Sequence, residues 1–479
     1  MSLVVAVLAL SPVLSAQGTV QQPGALQGQR NRDALVALER VATLDLPPLN
    51  LEQIRKEDLE RELQGLPPRF ALPLERHLTP RDAGTWENLD ADTFLWRLRV
   101  RARGAQSLNL GFSHFRMSPG SRLDLHSADL GHVVRPFTAA DNEAHGELWT
   151  PVVLSDDLVL ELSVPATELD QVLLELAFIN QGYRGFVSNP LALMSGSCNV
   201  DVVCPEGIPW ALEIPSVGVI STGGSTFCTG FLVNNVRADL KPYFMTANHC
   251  GITSGNAASL VVYWNFDNST CRPPGSPSSG GNGDGSLAQF NSGSIFRAAS
   301  APSDFTLVEL DDAINPTFDV SYAGWDATGD TGAAAIGIHH PNTDEKRISF
   351  ENDPTTTTSY LSDPSPGDGT HVRITDWDLG TTEPGSSGSP LFNPAHRIIG
   401  QLHGGFASCT SQTSDWYGKF SVSWNGGGTN SSRLKNWLDP DSTGALVSDT
   451  VSLDTLCSEA GTIALEKGRY SSAASAKVI

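Results

Sequence analysis

The chain has 479 residues, 40% of them hydrophobic, and carries 31 Lys and Arg against 53 Asp and Glu, a formal net charge of -22. At about 100–200 residues per domain it has room for two or three domains with sizeable cores. Acidity on this scale argues against nucleic acid, which requires a concentrated cationic face, and recurring apolar segments with only 18% charged residues argue against disorder.

The first 16 residues, MSLVVAVLALSPVLSA, combine an apolar run with small residues as a secretory signal does, although no Lys or Arg precedes Arg30. Residues 33–64 have helical spacing, with Leu51, Ile54, Leu59 and Leu63 recurring amid charge. From Thr93 onward the runs TFLWRLRVRA, SLNLGFSHF, LWTPVVLS and LVLELSV read as strands between Gly, Pro and Asp breakers. This predicts an α+β, mainly β unit, with the arginines at 97 to 103 on a solvated face. No later apolar stretch reaches the ~20 residues of a membrane span, so a soluble mature protein is expected.

Composition changes at Cys198. Before it lie 16 Arg, a single Lys (Lys56) and no cysteine; after it lie all seven cysteines, at 198, 204, 228, 250, 271, 409 and 457. The portion before Cys198 has 17 basic and 24 acidic residues, net -7, and the remainder 14 and 29, net -15. Two acidic portions cannot associate through opposite net charge. Seven cysteines allow three disulfides with one left over, which suits an oxidising compartment. None forms a CxxC metal motif and His339-His340 reads as a loop pair, so neither a metal nor another cofactor is expected.

Beyond Cys198 the predicted strands are Thr226 to Val233, Pro242 to Thr246, Ser259 to Phe266, Phe305 to Leu310, Ile398 to His403 and Trp416 to Val422, with one late helix in SSRLKNWL at 431–438. Short strands separated by Gly, Ser and Pro loops argue an all-β barrel or sandwich.

Three segments carry chemistry: Thr246-Ala247-Asn248-His249-Cys250, Ser303-Asp304-Phe305 opening an apolar strand, and Gly385-Ser386-Ser387-Gly388. A serine hydroxyl attacks a carbonyl efficiently only if an imidazole accepts its proton, and a carboxylate on the other ring nitrogen fixes the tautomer. Gly385 lacks a Cβ, so its N–H can turn, with that of Ser387, toward a developing oxyanion. Each segment alone has an ordinary structural explanation. Together, in the order His, Asp, Ser, they are hard to dismiss.

These motifs resemble those of the chymotrypsin-like serine endopeptidases. GSCNVDVVCPEG, VVYWNFDNSTCRPP, GIHHPNTDEKRIS, EPGSSGSPLF, IIGQLHGG and GGGTNSSRLKNWLDPDSTGA further resemble the bacterial lysyl endopeptidases, in order, from about residue 193 to 450. The resemblance implies an all-β double barrel with a C-terminal helix, His249 as general base, Asp304 as its orienter and Ser387 as nucleophile. It also implies disulfides Cys198 to Cys409, Cys204 to Cys271 and Cys228 to Cys250, leaving Cys457 unpaired. The last pair braces the loop ending at His249, worth about 3 kcal/mol on a chain-entropy account.

Thr381 stands six residues before Ser387, where trypsin-like enzymes with an acidic pocket base carry Asp. The resemblance places the pocket carboxylate at Asp415 instead, and its ligand as Lys; composition alone indicates only an anionic pocket. Leu402-His403-Gly404-Gly405 is expected beside the substrate backbone, and His403 with Trp377 resembles a family pair flanking the catalytic His, in a loop two residues shorter here. Two alternatives are an enzyme accepting Arg as well as Lys and a catalytically inactive secreted binding module. An esterase nucleophile elbow is not met, because Ser389 holds the last position of GxSxG. A glutamyl-specific pocket is opposed by Asp415.

The expected organisation is a signal at 1–16, a pro-region at 17–192, a protease domain at 193–455 and a tail at 456–479. A secreted monomer acting on proteins or peptides is expected, with its own pro-region as intramolecular inhibitor or folding aid. Ser386 precludes the ion pair by which a new N-terminus activates the animal enzymes of this kind. The junction near Leu193 contains no Lys, so maturation needs another enzyme, or a cut after Arg184 followed by trimming.

Overall fold

The computed structural model describes residues 35–186 and 195–453. The expected signal segment, most of the junction around Leu193, and Cys457 with its tail lie outside the described residues.

In the first unit a five-stranded sheet is built on Thr93–Arg101 and Asp157–Pro165, paired antiparallel along their whole length. A four-stranded sheet sets Leu173–Gly182 between Ala71–Leu78 and Ser107–Arg116. Alternating residues of both sheets, among them Trp96, Leu98, Leu110, Phe112, Leu160 and Ile179, share one core. At about 1.5–3 kcal/mol per buried large side chain, that core is what holds the unit together.

Among the described residues of the predicted helix 33–64, only Leu51–Leu63 is α-helical, capped by the Asn50 side chain, which accepts from Gln53 N at 3.2 Å. Thr43–Asp45 pairs instead with Arg99–Arg101, because strand pairing and the Arg101–Asp45 ion pair outweigh helical spacing. The arginine face is solvated only at its far end, at Arg103: Arg97 is buried against Glu87, and Arg99 donates to both oxygens of Asp157 at 2.7 and 2.6 Å.

The second unit is two closed sheets. In the first the order is Phe290–Ser292, Val261–Tyr263, Val217–Thr222, Thr226–Leu232, Tyr243–Ala247, Phe305–Leu310, Ser294–Ser300. Its two outermost strands are consecutive in the chain, joined by Gly293 alone, so the edges meet and the sheet is a barrel. In the second sheet Arg347–Glu351, Ala335–His339, Pro390–Phe392, Ile398–Gly405, Asp415–Lys419, His371–Ile374 and Thr356–Thr358 follow one another. Residues 352–355 join the first and last of these strands; beyond the first, Val200–Asp201 pairs with Arg347 and Ile348, and Phe350 exchanges backbone hydrogen bonds with Leu379 (2.8 and 3.2 Å), which closes this ring as well. A core of Phe231, Met245, Leu307, Ile338, Phe392 and Phe420 fills the junction.

Two predicted elements change type. The strand Trp416 to Val422 runs over Asp415–Lys419 and then becomes a helix, Phe420–Asn425, burying Phe420, Ser423 and Trp424 on one face. SSRLKNWL shrinks to Lys435–Leu438, because Ser431, Ser432 and Leu434 spend their backbone groups on Ala299, Gly427 and Ser423. Cystines join Cys198 to Cys409, Cys204 to Cys271 and Cys228 to Cys250.

The units share a core: Val219, Phe227, Tyr263, Phe266 and Phe290 pack into the apolar cluster of the first unit. Asn109 Nδ2 donates to Gly224 O (2.9 Å), and His145 pairs with Asp311 (2.9 Å), so two acidic units associate through apolar area and local pairs. Among the described residues no helix is long and apolar enough to cross a membrane.

Candidate active site

His249 lies in the turn Asn248–Cys250 that ends the strand Tyr243–Ala247. Phe305–Leu310 pairs with that strand antiparallel, Ala247 opposite Phe305, so Asp304 at the start of one comes beside His249 at the end of the other. Asp304 Oδ1 accepts the His249 backbone N–H (2.9 Å) and Oδ2 lies 2.8 Å from Nδ1. A carboxylate can only accept, so Nδ1 carries the proton and Nε2 is left as the base. Asp304 holds a left-handed backbone, φ 51°, with its carbonyl bonded to Asn248 N–H (2.8 Å) and to Gln401 Nε2 (3.1 Å).

Ser387 sits in a turn stitched to the first barrel: Thr229 Oγ1 donates to Gly385 O (2.8 Å) and Thr229 N–H to Ser387 O (2.9 Å). Gly385 has φ 99°, and a Cβ there would lie 2.3 Å from the Phe227 ring, so glycine is required twice over. The N–H groups of Gly385 and Ser387 donate to no acceptor among the described residues. His339, predicted in a loop pair, ends the strand Ala335–His339 instead; its Nδ1 lies 2.8 Å from Ser386 Oγ and its Nε2 3.0 Å from Ser349 Oγ. Burial pushes its pKa down to about 3, so it holds Ser386 as a neutral ring. Ser387 and His249 line one cavity of about 500 Å³. Among the described residues no hydrogen bond links the serine hydroxyl to the imidazole, a bond that commonly tightens only with substrate.

His403 stacks on His249 with ring centroids 5.3 Å apart, and its Nε2 lies 3.7 Å from Asp304 Oδ2. Tyr360 also stacks on His403, centroids 3.6 Å apart and nearly parallel, and His403 Nδ1 is 2.9 Å from His371 Nε2. Burial lowers the His403 pKa to about 4 against the pull of Asp304, which keeps it neutral near pH 7. Trp377 does not flank the catalytic histidine as the family pair implied. It is buried in the second barrel, where Nε1 donates to Asp415 Oδ2 (2.8 Å), and Tyr360 is the ring that stacks on His403.

Asp415 is fully buried. Oδ2 also accepts from Thr382 Oγ1 (2.7 Å), and Oδ1 accepts from Ala407 N–H (3.3 Å). Burial raises its pKa while these donors oppose the rise. A Cβ on Gly405 would stand 2.1 Å from Asp415 Oδ1, so only glycine fits against the carboxylate; Gly404, with Gly405, lines the cavity. Thr382 could have been noticed beside the serine motif; Tyr360 and His371 lie in loop and strand residues without any motif. Ligand atoms of His249, Asp304 and His403 lie within 4.8 Å of one another, and one pair of them, His249 Nδ1 and Asp304 Oδ2, is joined by a hydrogen bond.

Two barrels closed edge to edge, with these groups where they meet, are the architecture of a chymotrypsin-like serine endopeptidase. The family described as lysyl endopeptidase, C-terminal domain, matches residues 193–418. A lysyl endopeptidase of Pseudomonas aeruginosa is 30% identical over 356 residues, 68% of this chain and 72% of the relative. The chain belongs to the lysyl endopeptidase family. Among solved structures, the HtrA-type protease AlgW with a tripeptide is 16% identical, TM-score 0.29, over 43% of this chain and 56% of that one, so the chain spans about half the length of that protease. A Glu endopeptidase in complex with MPD is also 16% identical, TM-score 0.28, over 48% of this chain and 87% of that one.

Proposed function

We propose that this protein is a secreted endopeptidase cutting on the carboxyl side of Lys. Ser387 attacks the carbonyl while His249 Nε2 takes its proton, Asp304 holds the imidazole and stabilises its cation, and the N–H groups of Gly385 and Ser387 receive the oxyanion. His249 then returns the proton to the leaving amine, and water hydrolyses the acyl-enzyme by the same steps in reverse.

The observation that carries the Lys reading is how Asp415 is occupied. Its Oδ2 accepts from both Trp377 and Thr382, and its Oδ1 from Ala407, which leaves one lone pair free. One lone pair suits a compact ammonium; the flat fork of Arg seeks both oxygens at once. A buried anion would also repel Glu. Digestion of a protein mixture, reading the residue that precedes each new break, tests this. Breaks after Arg as frequent as after Lys would sink it.

We place the signal at 1–16, the pro-region at 17–192, the protease domain at 193–455 and the tail at 456–479. The pro-region acts as intramolecular inhibitor or folding aid of a monomeric enzyme. Arg184 lies over the Phe227 ring (5.5 Å) and donates to Asn342 Oδ1 (3.0 Å), so a first cut after Arg184 must disrupt packing, and we favour processing by another enzyme. A Ser387→Ala precursor that still matures in its host supports this; one that stalls shows that the chain cuts itself.

A further inference from the structure

The link between the helix Leu51–Leu63 and the strand Ala71–Leu78 runs along the active-site cavity, which Leu66 and Pro67 line together with His249, Gly385 and Ser387. It is held there by a backbone ladder. Phe227 N–H donates to Pro68 O (3.1 Å), Phe70 N–H donates to Ser225 O (2.9 Å), and Arg69 faces Thr226 in antiparallel sense. Stepping back from Pro68 to Leu66 therefore advances the facing chain from Phe227 to Thr229, about 7 Å along a strand. Thr229 is the residue whose N–H donates to the carbonyl of Ser387 (2.9 Å). The register thus carries the Leu66–Pro67 peptide alongside the nucleophile.

The link is also stiff. Gly65, at φ 66°, ends the helix, with Gly65 N–H donating to Glu62 O (2.9 Å) and Leu66 N–H to Arg61 O (3.0 Å). Arg61 Nη2 donates to Pro67 O (3.0 Å), and Arg69 is clamped by Asp58 (2.8 Å) and Glu57 (3.2 Å). Tyr183 OH donates to the same Asp58 (2.6 Å). Pro67 and Pro68 fix their own φ angles, so little freedom is left to lose on docking.

We propose that Gly65–Arg69 occupies the substrate cleft of the precursor, running in one fixed register past Ser387, as an occupant that the enzyme cannot cut. Leu66 has no charge to set against Asp415. The leaving nitrogen of the 66–67 bond is that of Pro67, a tertiary amide nitrogen that carries a ring carbon in place of hydrogen and so resists turning its lone pair to His249 for protonation. Helix, ladder and ion pairs hold the bond in place while its chemistry forbids turnover. The proposal rests on the assignments of Ser387, His249 and Asp415 above.

The test uses the unprocessed full-length chain and two readouts. The first is the rate at which a fluorophosphonate labels Ser387. Replacing both Pro67→Gly and Pro68→Gly should raise it at least tenfold, and Arg61→Ala, which leaves the segment's own sequence intact, should raise it severalfold. Unchanged labelling in folded variants, as judged by near-ultraviolet circular dichroism, overturns the proposal. The second readout is a designed cut: with Leu66→Lys and Pro67→Ala together, mass spectrometry should find hydrolysis of the 66–67 bond, lost again when Ser387→Ala is added. If labelling accelerates but that bond stays intact, the blocking segment stands and the Lys reading of Asp415 is what fails.

Discussion

Replacing Asp415→Asn isolates the charge of the proposed Lys pocket from its shape. The single carbonyl oxygen of Asn can keep the two strong donors, Trp377 Nε1 at 2.8 Å and Thr382 Oγ1 at 2.7 Å, so the buried side chain stays anchored. Its amide NH₂ then faces Ala407 N–H, formerly bonded at 3.3 Å, and the pocket, presenting donors to an ammonium that needs an acceptor. Stranding a desolvated ammonium costs about 3–5 kcal/mol, on the order of 10²–10³ in kcat/KM for Lys. The assay compares kcat/KM for a Lys anilide and its norleucine analogue, alongside acylation of Ser387 by p-nitrophenyl acetate. The Lys advantage should collapse while acylation by the small ester stays within about threefold of the parent rate, because only the pocket charge has gone. A Lys-to-norleucine ratio that survives the substitution would falsify the assignment of Asp415.

Three further outcomes follow from the site. Asp304→Asn tolerates φ 51° but can no longer accept from both the His249 backbone N–H and Nδ1–H, so kcat should fall on the order of 10⁴ with KM little changed; a loss below tenfold in steady-state kinetics would remove Asp304 from the mechanism. Gly385→Ala sets a methyl 2.3 Å from the Phe227 ring at φ 99°, turning an oxyanion donor away, and should cost about 10²–10³ in kcat with a lower Tm. His403, held near pKa 4 against 6.5 when unfolded, disfavours its charged form in the fold, so its effect is a stability loss as pH falls from about 6.5 toward 4. At pH 5 this amounts to about 2 kcal/mol. His403→Phe should reduce the stability difference between pH 7 and pH 5 by that order in denaturant titrations, and an unchanged difference would contradict the burial of His403 as its cause.

The sequence alone determined what depends on covalent neighbours and short-range pattern. A histidine beside a cysteine at a strand end, an Asp opening an apolar strand and a serine between glycines are local features, and alternating runs announce strands without any partner in view. Where the expectation missed, a distant residue had made the decision. Thr43–Asp45 left the helix because Arg99–Arg101 offered a ladder and charges; the residues before Lys435 left theirs because Ala299, Gly427 and Ser423 claimed their backbone groups. The same holds at the site. Trp377 went to Asp415 and Tyr360 to His403 through contacts that cross the second barrel, and no spacing along the chain encodes which ring reaches which partner. Nor does the sequence say that Leu66-Pro67 would face Ser387, since that register is set by hydrogen bonds between residues some 160 positions apart. Chemistry resides in the residue types; its addresses are assigned by packing and by backbone hydrogen bonds that cannot be left unmade in a buried interior.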